Sequence, residues 1–103
     1  MAMLTFLWSS EFQAWLGQLV DQKGKARILA RLRSASLGNP GDCEAVGGGV
    51  SEMRVHFGPG YRIYFTRNGS TVYLLLTGGD KSTQKRDIER AKAMARQLRE
   101  FKS

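Results

Sequence analysis

The sequence predicts an α+β fold: a strand and a helical hairpin, then an antiparallel sheet, then a closing helix. Three observations carry this. Apolar residues recur at helical spacing in the first third of the chain and again in its last fifth. Between these stretches, residues 50–57 and again 61–66 alternate with the period of two that a half-buried strand imposes. Glycine-rich breaks at 38–41, 47–49, 58–60 and 78–79 punctuate the alternating part, and Asn68-Gly69 is a hairpin signal because both residues tolerate positive φ.

Leu4-Thr5-Phe6-Leu7-Trp8 reads as a short first strand. Ser9 and Ser10 offer helix caps, and Ser10 with Gln13 has the spacing of a capping box. Phe12, Trp15, Leu16 and Leu19 then share one helical face. Gly24 is expected to break that helix, and a second runs over 25–37 with Ile28, Leu29 and Leu32 inward. Gly38-Asn39-Pro40-Gly41-Asp42 ends it, since glycine supplies a C-cap and proline cannot continue a helix.

Residues 43–46 read as a short edge strand. In the next strand Ser51, Met53, Val55 and Phe57 face one way, and Glu52, Arg54 and His56 the other. After the tight turn Gly58-Pro59-Gly60, the alternation places Tyr61, Ile63 and Phe65 against Arg62, Tyr64 and Thr66. Residues 71–77 are apolar on both faces, as a central strand covered on both sides requires. A last helix over about 82–101 carries the stripe Ile88, Ala91, Ala95 and Leu98. Trp8 and Trp15, among apolar neighbours, read as core.

The 103 residues suit one domain, 1–103, and 42% hydrophobic with 24% charged residues is an ordinary globular composition. No apolar run approaches the roughly 20 residues of a membrane helix. No basic segment precedes an apolar stretch at the N-terminus, and Cys43, being alone, forms no internal disulfide. The expectation is a cytoplasmic protein with no membrane partner.

Charge is the informative quantity. The chain carries +7, and residues 51–103 hold eleven Lys and Arg against five Asp and Glu. A small domain with one positive half attracts a polyanion, because each neutralised phosphate releases condensed counterions. Nucleic acid and an acidic protein partner both satisfy this.

In an antiparallel meander, Arg54 and His56 share a sheet face with Arg62 and Tyr64. Two guanidiniums, an imidazole and a phenol together suit a phosphate site with proton-transfer groups at hand. Alternatively, Arg54 pairs with Glu52 or Asp80 on a solvated face. Gly78-Gly79-Asp80-Lys81-Ser82-Thr83 lacks the full Walker A pattern. Its amides and Lys81 suit a phosphate at the helix start, or else form a glycine turn capped by Asp80 or Ser82. His56, the single histidine, cannot build a metal site with one cysteine, so neither a metal nor a cofactor is expected. It serves either as a proton donor or acceptor or as an ordinary hydrogen-bonding strand residue. The outer face of the last helix (Lys85, Arg86, Arg90, Lys92, Arg96, Arg99) is basic, and is either a nucleic-acid surface or a solvated face relieved by Glu89 and Glu100.

The motifs Gly24-Lys25-Ala26-Arg27-Ile28, Gly38-Asn39-Pro40-Gly41-Asp42, Val50-Ser51-Glu52-Met53-Arg54 and Gly58-Pro59-Gly60-Tyr61-Arg62-Ile63-Tyr64-Phe65 occur in order. Gly78-Gly79-Asp80-Lys81-Ser82-Thr83-Gln84 and Asp87-Ile88 complete the set. Together they resemble the RelE/ParE toxin superfamily, and within it the phage-related addiction-module killer proteins grouped with HigB. The resemblance covers nearly the whole chain and implies a RelE/ParE-like fold of strand, two helices, antiparallel sheet and C-terminal helix.

It further implies the toxin of a type II toxin–antitoxin pair, held silent by a cognate helix-turn-helix antitoxin. The activity implied is metal-independent, ribosome-dependent cleavage of messenger RNA, which inhibits translation. A ParE-like, non-enzymatic inhibitor of DNA gyrase and an antitoxin- or DNA-binding module without nuclease activity are the alternatives. Carried over by position, Arg62 matches the arginine of the family's central strand, Arg54 a basic position on the preceding strand, and Lys81 the subgroup's Gly-Asp-Lys motif. His56 and Tyr64 join these as catalytic candidates from strand geometry. Arg67, Gln84, Lys85 and Arg86 are assigned to RNA contact. RelE-like nucleases place a tyrosine in the C-terminal segment, whereas this chain has none after Tyr73.

Overall fold

The computed structural model describes residues 4–69 and 72–102. Along the chain come β1 (Thr5–Trp8), α1 (Ser10–Gln18), α2 (Gln22–Ser36), β2 (Cys43–Gly47), β3 (Val50–Val55), β4 (Tyr61–Asn68) and β5 (Val72–Gly79). A 3-10 turn (Lys81–Thr83) then leads into α3 (Gln84–Lys102). The fold is α+β, with five strands in the order β1-β5-β4-β3-β2. The β2–β5 meander is antiparallel, but β1 pairs parallel with β5, so the sheet is mixed rather than purely antiparallel. Only β1, four residues long, departs from the expected pairing. Thr71, expected to open β5, lies outside the described residues.

Two local expectations about the hairpin are corrected. Ser9, not Ser10, caps α1: its hydroxyl accepts from the Phe12 amide at 3.0 Å and donates to the Leu76 carbonyl at 2.7 Å. Gly24 breaks no helix. α1 stops at Gln18, and Asp21 caps α2 by accepting from the Gly24 amide at 2.9 Å, which puts Gly24 inside the first turn of α2. Glycine is needed there for space, since a Cβ would lie 2.5 Å from the Tyr61 ring and 2.6 Å from the Asp21 carboxylate.

The sheet is covered on both faces. On one, Phe12 and Leu16 of α1 with Ile28, Leu32 and Ala35 of α2 bury Met53, Val55, Ile63, Phe65, Tyr73 and Leu75. On the other, Ala91 and Ala95 of α3 pack on Val50, Tyr64 and Leu76. Leu29 and Leu98, expected inward, are largely exposed. Trp15 fits over Gly78, where a Cβ would meet its ring at 2.3 Å. Trp8, expected in the core, is 38% exposed and touches Phe12 edge-on. Among the described residues no helix is long and apolar enough to cross a membrane.

Candidate functional site

Register builds the site. Arg54 stands opposite Arg62, and Glu52 opposite Tyr64, all on the sheet face beneath α3. That face is not solvated at its centre, because α3 closes over it. Glu52 is fully buried. Its carboxylate accepts from Arg54 Nε at 2.9 Å, the Tyr64 hydroxyl at 3.0 Å and the Gln84 side-chain amide at 2.9 Å. Arg62 Nε lies 3.7 Å away, close enough for charge attraction but beyond hydrogen-bond range. A buried carboxylate persists because so many donors replace its water. Burial raises its pKa, yet the hydrogen bonds from Arg54, Gln84 and Tyr64 and the Arg62 charge bring the net value below the ordinary glutamate range.

Arg62 is the cation this arrangement leaves least satisfied. Its Nη1 donates to the Gly60 carbonyl at 2.7 Å, while its Nε is buried without a hydrogen-bond partner. Gly60 adopts φ +80°, a conformation that side chains rarely take. A Cβ at that position would stand 3.0 Å from Arg62 Nη1 and 3.5 Å from Lys81 Cβ. The bare glycine thus leaves room for the Arg62 guanidinium on a turn that also packs against the base of the Lys81 side chain, and the Lys81 amide donates to the Pro59 carbonyl at 3.4 Å. Asp80 caps the 3-10 turn through the Ser82 amide at 2.8 Å, so the segment after Gly79 has its N-cap supplied from within.

Arg54, Arg62 and Lys81 therefore gather at one end of the sheet, with Gln84 fastening the start of α3 to Glu52. Lys85 and Arg86 follow on α3's exposed first turns, where they line a shallow groove with Ser82, Thr83 and Glu89. Arg54 is held by two carboxylates, Glu52 and Glu44, which raise its pKa. The expected pairing of Arg54 with Glu52 is thus present, with Glu52 buried and Arg54 partly exposed.

Four candidates fall outside the cluster's working surface. Tyr64 lies at the centre, but its hydroxyl is buried and committed to Glu52. Burial first, then the Glu52 hydrogen bond, holds its phenol far above the ordinary tyrosine range. A phenol so enclosed is a hydrogen-bond donor to Glu52 in the interior. His56 stands past the end of β3, because the strand stops at Val55 before its alternation can carry the ring to the shared face. It pairs with Asp42 at 2.6 Å and lines a different groove, against α2. Arg67 is five residues up β4 from Arg62, roughly 16 Å along a strand, and lies over the Tyr73 ring at 4.9 Å. Gln84, assigned to RNA contact, serves Glu52 instead. The residue underrated in the sequence is Glu52 itself; its signal was an acidic side chain one register position from two arginines.

A family model described as Phage derived protein Gp49-like (DUF891) matches residues 14–100. The chain belongs to that family. Every member of the cluster lies within the matched span of this Gp49-like protein. It is also similar to a protein of Haemophilus influenzae described as "Uncharacterized protein", with 42% identity over 87 residues, covering 84% of this chain and 88% of the relative.

Proposed function

We propose that this Gp49-like chain is the toxin of a type II toxin–antitoxin pair and that it cleaves messenger RNA on the ribosome. The observation that carries the proposal is the placement of Arg62 and Lys81 around Gly60, with Arg62 Nε buried, without a hydrogen-bond partner and 3.7 Å from Glu52. Family membership, the basic second half of the chain and the resemblance to RelE/ParE toxins support the same reading.

In this chemistry a ribose 2′-oxygen attacks the adjacent phosphorus while the bond from phosphorus to the 5′-oxygen breaks. The products are a 2′,3′-cyclic phosphate and a free 5′-hydroxyl. One proton leaves the 2′-hydroxyl and one joins the departing 5′-oxygen. Arg62 and Lys81 stabilise the negative charge that builds on the phosphate oxygens, an effect worth on the order of 10²–10³ in rate per donor. Glu52 and Gln84 hold the geometry. Tyr64 and His56 stand away from the reacting phosphate, so proton transfer falls to water or to groups the ribosome supplies. A cognate helix-turn-helix antitoxin is the partner that keeps the cluster silent.

The test is induced expression in a bacterial host. The parent chain arrests growth, and Arg62→Ala restores it while retaining the parent's unfolding transition. Full toxicity of both Arg62→Ala and Lys81→Ala would place the site elsewhere.

Tyr64 is buried against Glu52 and His56 is paired with Asp42, which favours a second reading, a ParE-like, non-enzymatic inhibitor of DNA gyrase. DNA-damage signalling with intact transcripts after induction marks that outcome.

A further inference from the structure

Between α2 and residues 55–57, which lead into the Gly58-Pro59-Gly60 turn, lies a second basic groove of about 290 Å³ lined by Arg27, Arg31 and His56. Its floor is built with care. Arg31 donates from Nη1 to the Arg54 carbonyl and from Nη2 to the Pro40 carbonyl at 2.8 Å, tying α2 to the end of β3 and to the loop before β2. Phe57 is fixed at both backbone polar groups, its amide on the Val55 carbonyl at 2.8 Å and its carbonyl on the Gly60 amide at 3.0 Å. The ring packs partly against the core. Over it lies the Arg27 guanidinium, 5.0 Å from the ring centroid, on an exposed residue.

Among the described residues no carboxylate pairs with Arg27; the Phe57 ring is its contact. Arg27 is exposed, and a guanidinium held against a phenyl ring offers a nucleobase both charge and a stacking partner. The acidic groups nearby are spoken for. Asp42 is held by His56, and Asp21 accepts from Tyr61 and the Gly24 amide.

We propose that this groove is a second nucleotide subsite, in which an unpaired RNA base stacks on the Arg27 guanidinium against Phe57. The inference rests on the RNA reading given above and extends it. The two sites share one turn: Phe57 opens it, Gly60 closes it, and Lys81 leans on Pro59. A single strand whose phosphate lies at Arg62 and Lys81 crosses that turn and sets a flanking base against Arg27. An acidic peptide satisfies the charge of Arg27 but makes no use of the Phe57 ring beside it, whereas a nucleobase uses both, which favours RNA.

The experiment uses the purified chain and a 12-nucleotide single-stranded RNA carrying 2-aminopurine, whose fluorescence falls when it stacks. Binding of the parent chain quenches the probe. Arg27→Ala weakens binding about five- to tenfold and abolishes the quench. Arg27→Lys keeps the charge and the salt dependence yet loses the quench. Arg27 is exposed, so both variants should keep the parent's melting transition, which is checked alongside. Parent-like binding and quenching in both variants overturns the subsite, as does weakened binding with the quench intact, which marks a charge contact alone. If Arg62→Ala weakens binding while the Arg27 variants do not, the subsite falls and the RNA reading stands. If the parent chain binds the RNA not at all, the subsite falls, and the ribosome-dependent reading is decided separately by transcript 5′ ends after induction.

Discussion

Tyr64 donates its hydroxyl hydrogen to Oε2 of Glu52 at 3.0 Å, and both side chains are fully buried under α3. This pair joins β3 to β4 at the point where Arg54 and Arg62 also stand opposite each other. Removing the carboxylate leaves two neighbouring guanidiniums without their shared counter-charge. Glu52→Ala is therefore expected to destabilise the fold by about 3–5 kcal/mol, the range for breaking a buried ion pair. Tyr64→Phe, which removes one donor to the ionised carboxylate and keeps the ring, should cost about 1.5–3 kcal/mol. Urea unfolding of the two variants checks both the order and the sizes.

Acid should expose the same carboxylate. The pKa of Glu52 is lowered in the fold despite the opposing effect of burial, because Arg54, Gln84 and Tyr64 bond to the ionised form. Its contribution is complete above the unfolded glutamate value of about 4.3 and is lost as pH falls through the lower folded value. Stability curves of the parent and Glu52→Gln, measured from pH 7 to pH 3, should converge toward the acid end. A constant gap would show that the charge on Glu52 contributes nothing.

At the other layer, Tyr61 donates to Asp21 at 2.7 Å. Burial, and then this bond, push the Tyr61 phenol up to about 12. The neutral phenol stabilises the fold below the unfolded value of about 10, and this is lost as pH rises through about 12. Asp21→Ala should bring the Tyr61 titration back toward 10 in an ultraviolet pH scan. Tyr64, bonded to Glu52 instead, should not move.

Gly24 and Gly17 make a matched pair. A methyl at Gly24 meets the Tyr61 ring and the Asp21 carboxylate, whereas nothing lies within 4 Å of one at Gly17. Gly24→Ala should cost about 1–3 kcal/mol through overpacking. Gly17→Ala should gain about 0.5–1 kcal/mol through helix propensity. Thermal melts of the two variants should shift in opposite directions.

The sheet faces were legible because a period of two separates Met53, Val55, Ile63 and Phe65 from Glu52, Arg54, Arg62 and Tyr64 without reference to anything distant. The cationic pairing of 54 with 62 followed from one tight turn. Burial of the polar face was not legible. It depends on where α3 lands, and Gln84 gives no local sign that it will bond to Glu52. Nor was the parallel pairing of β1, since Thr5 and Val72 meet across most of the chain. Gly24 misled because glycine spacing cannot distinguish a helix stop from a position where a ring needs room. His56 misled because alternation was carried one residue past the last paired position, Val55.

The most direct test of the nuclease account is to map transcript 5′ ends in cells after induction of the parent chain and of Arg62→Ala. The parent should generate new 5′-hydroxyl ends within translated regions, and the variant should generate none while remaining folded. Growth arrest by the parent with transcripts intact, or the same new ends produced by Arg62→Ala, would contradict it.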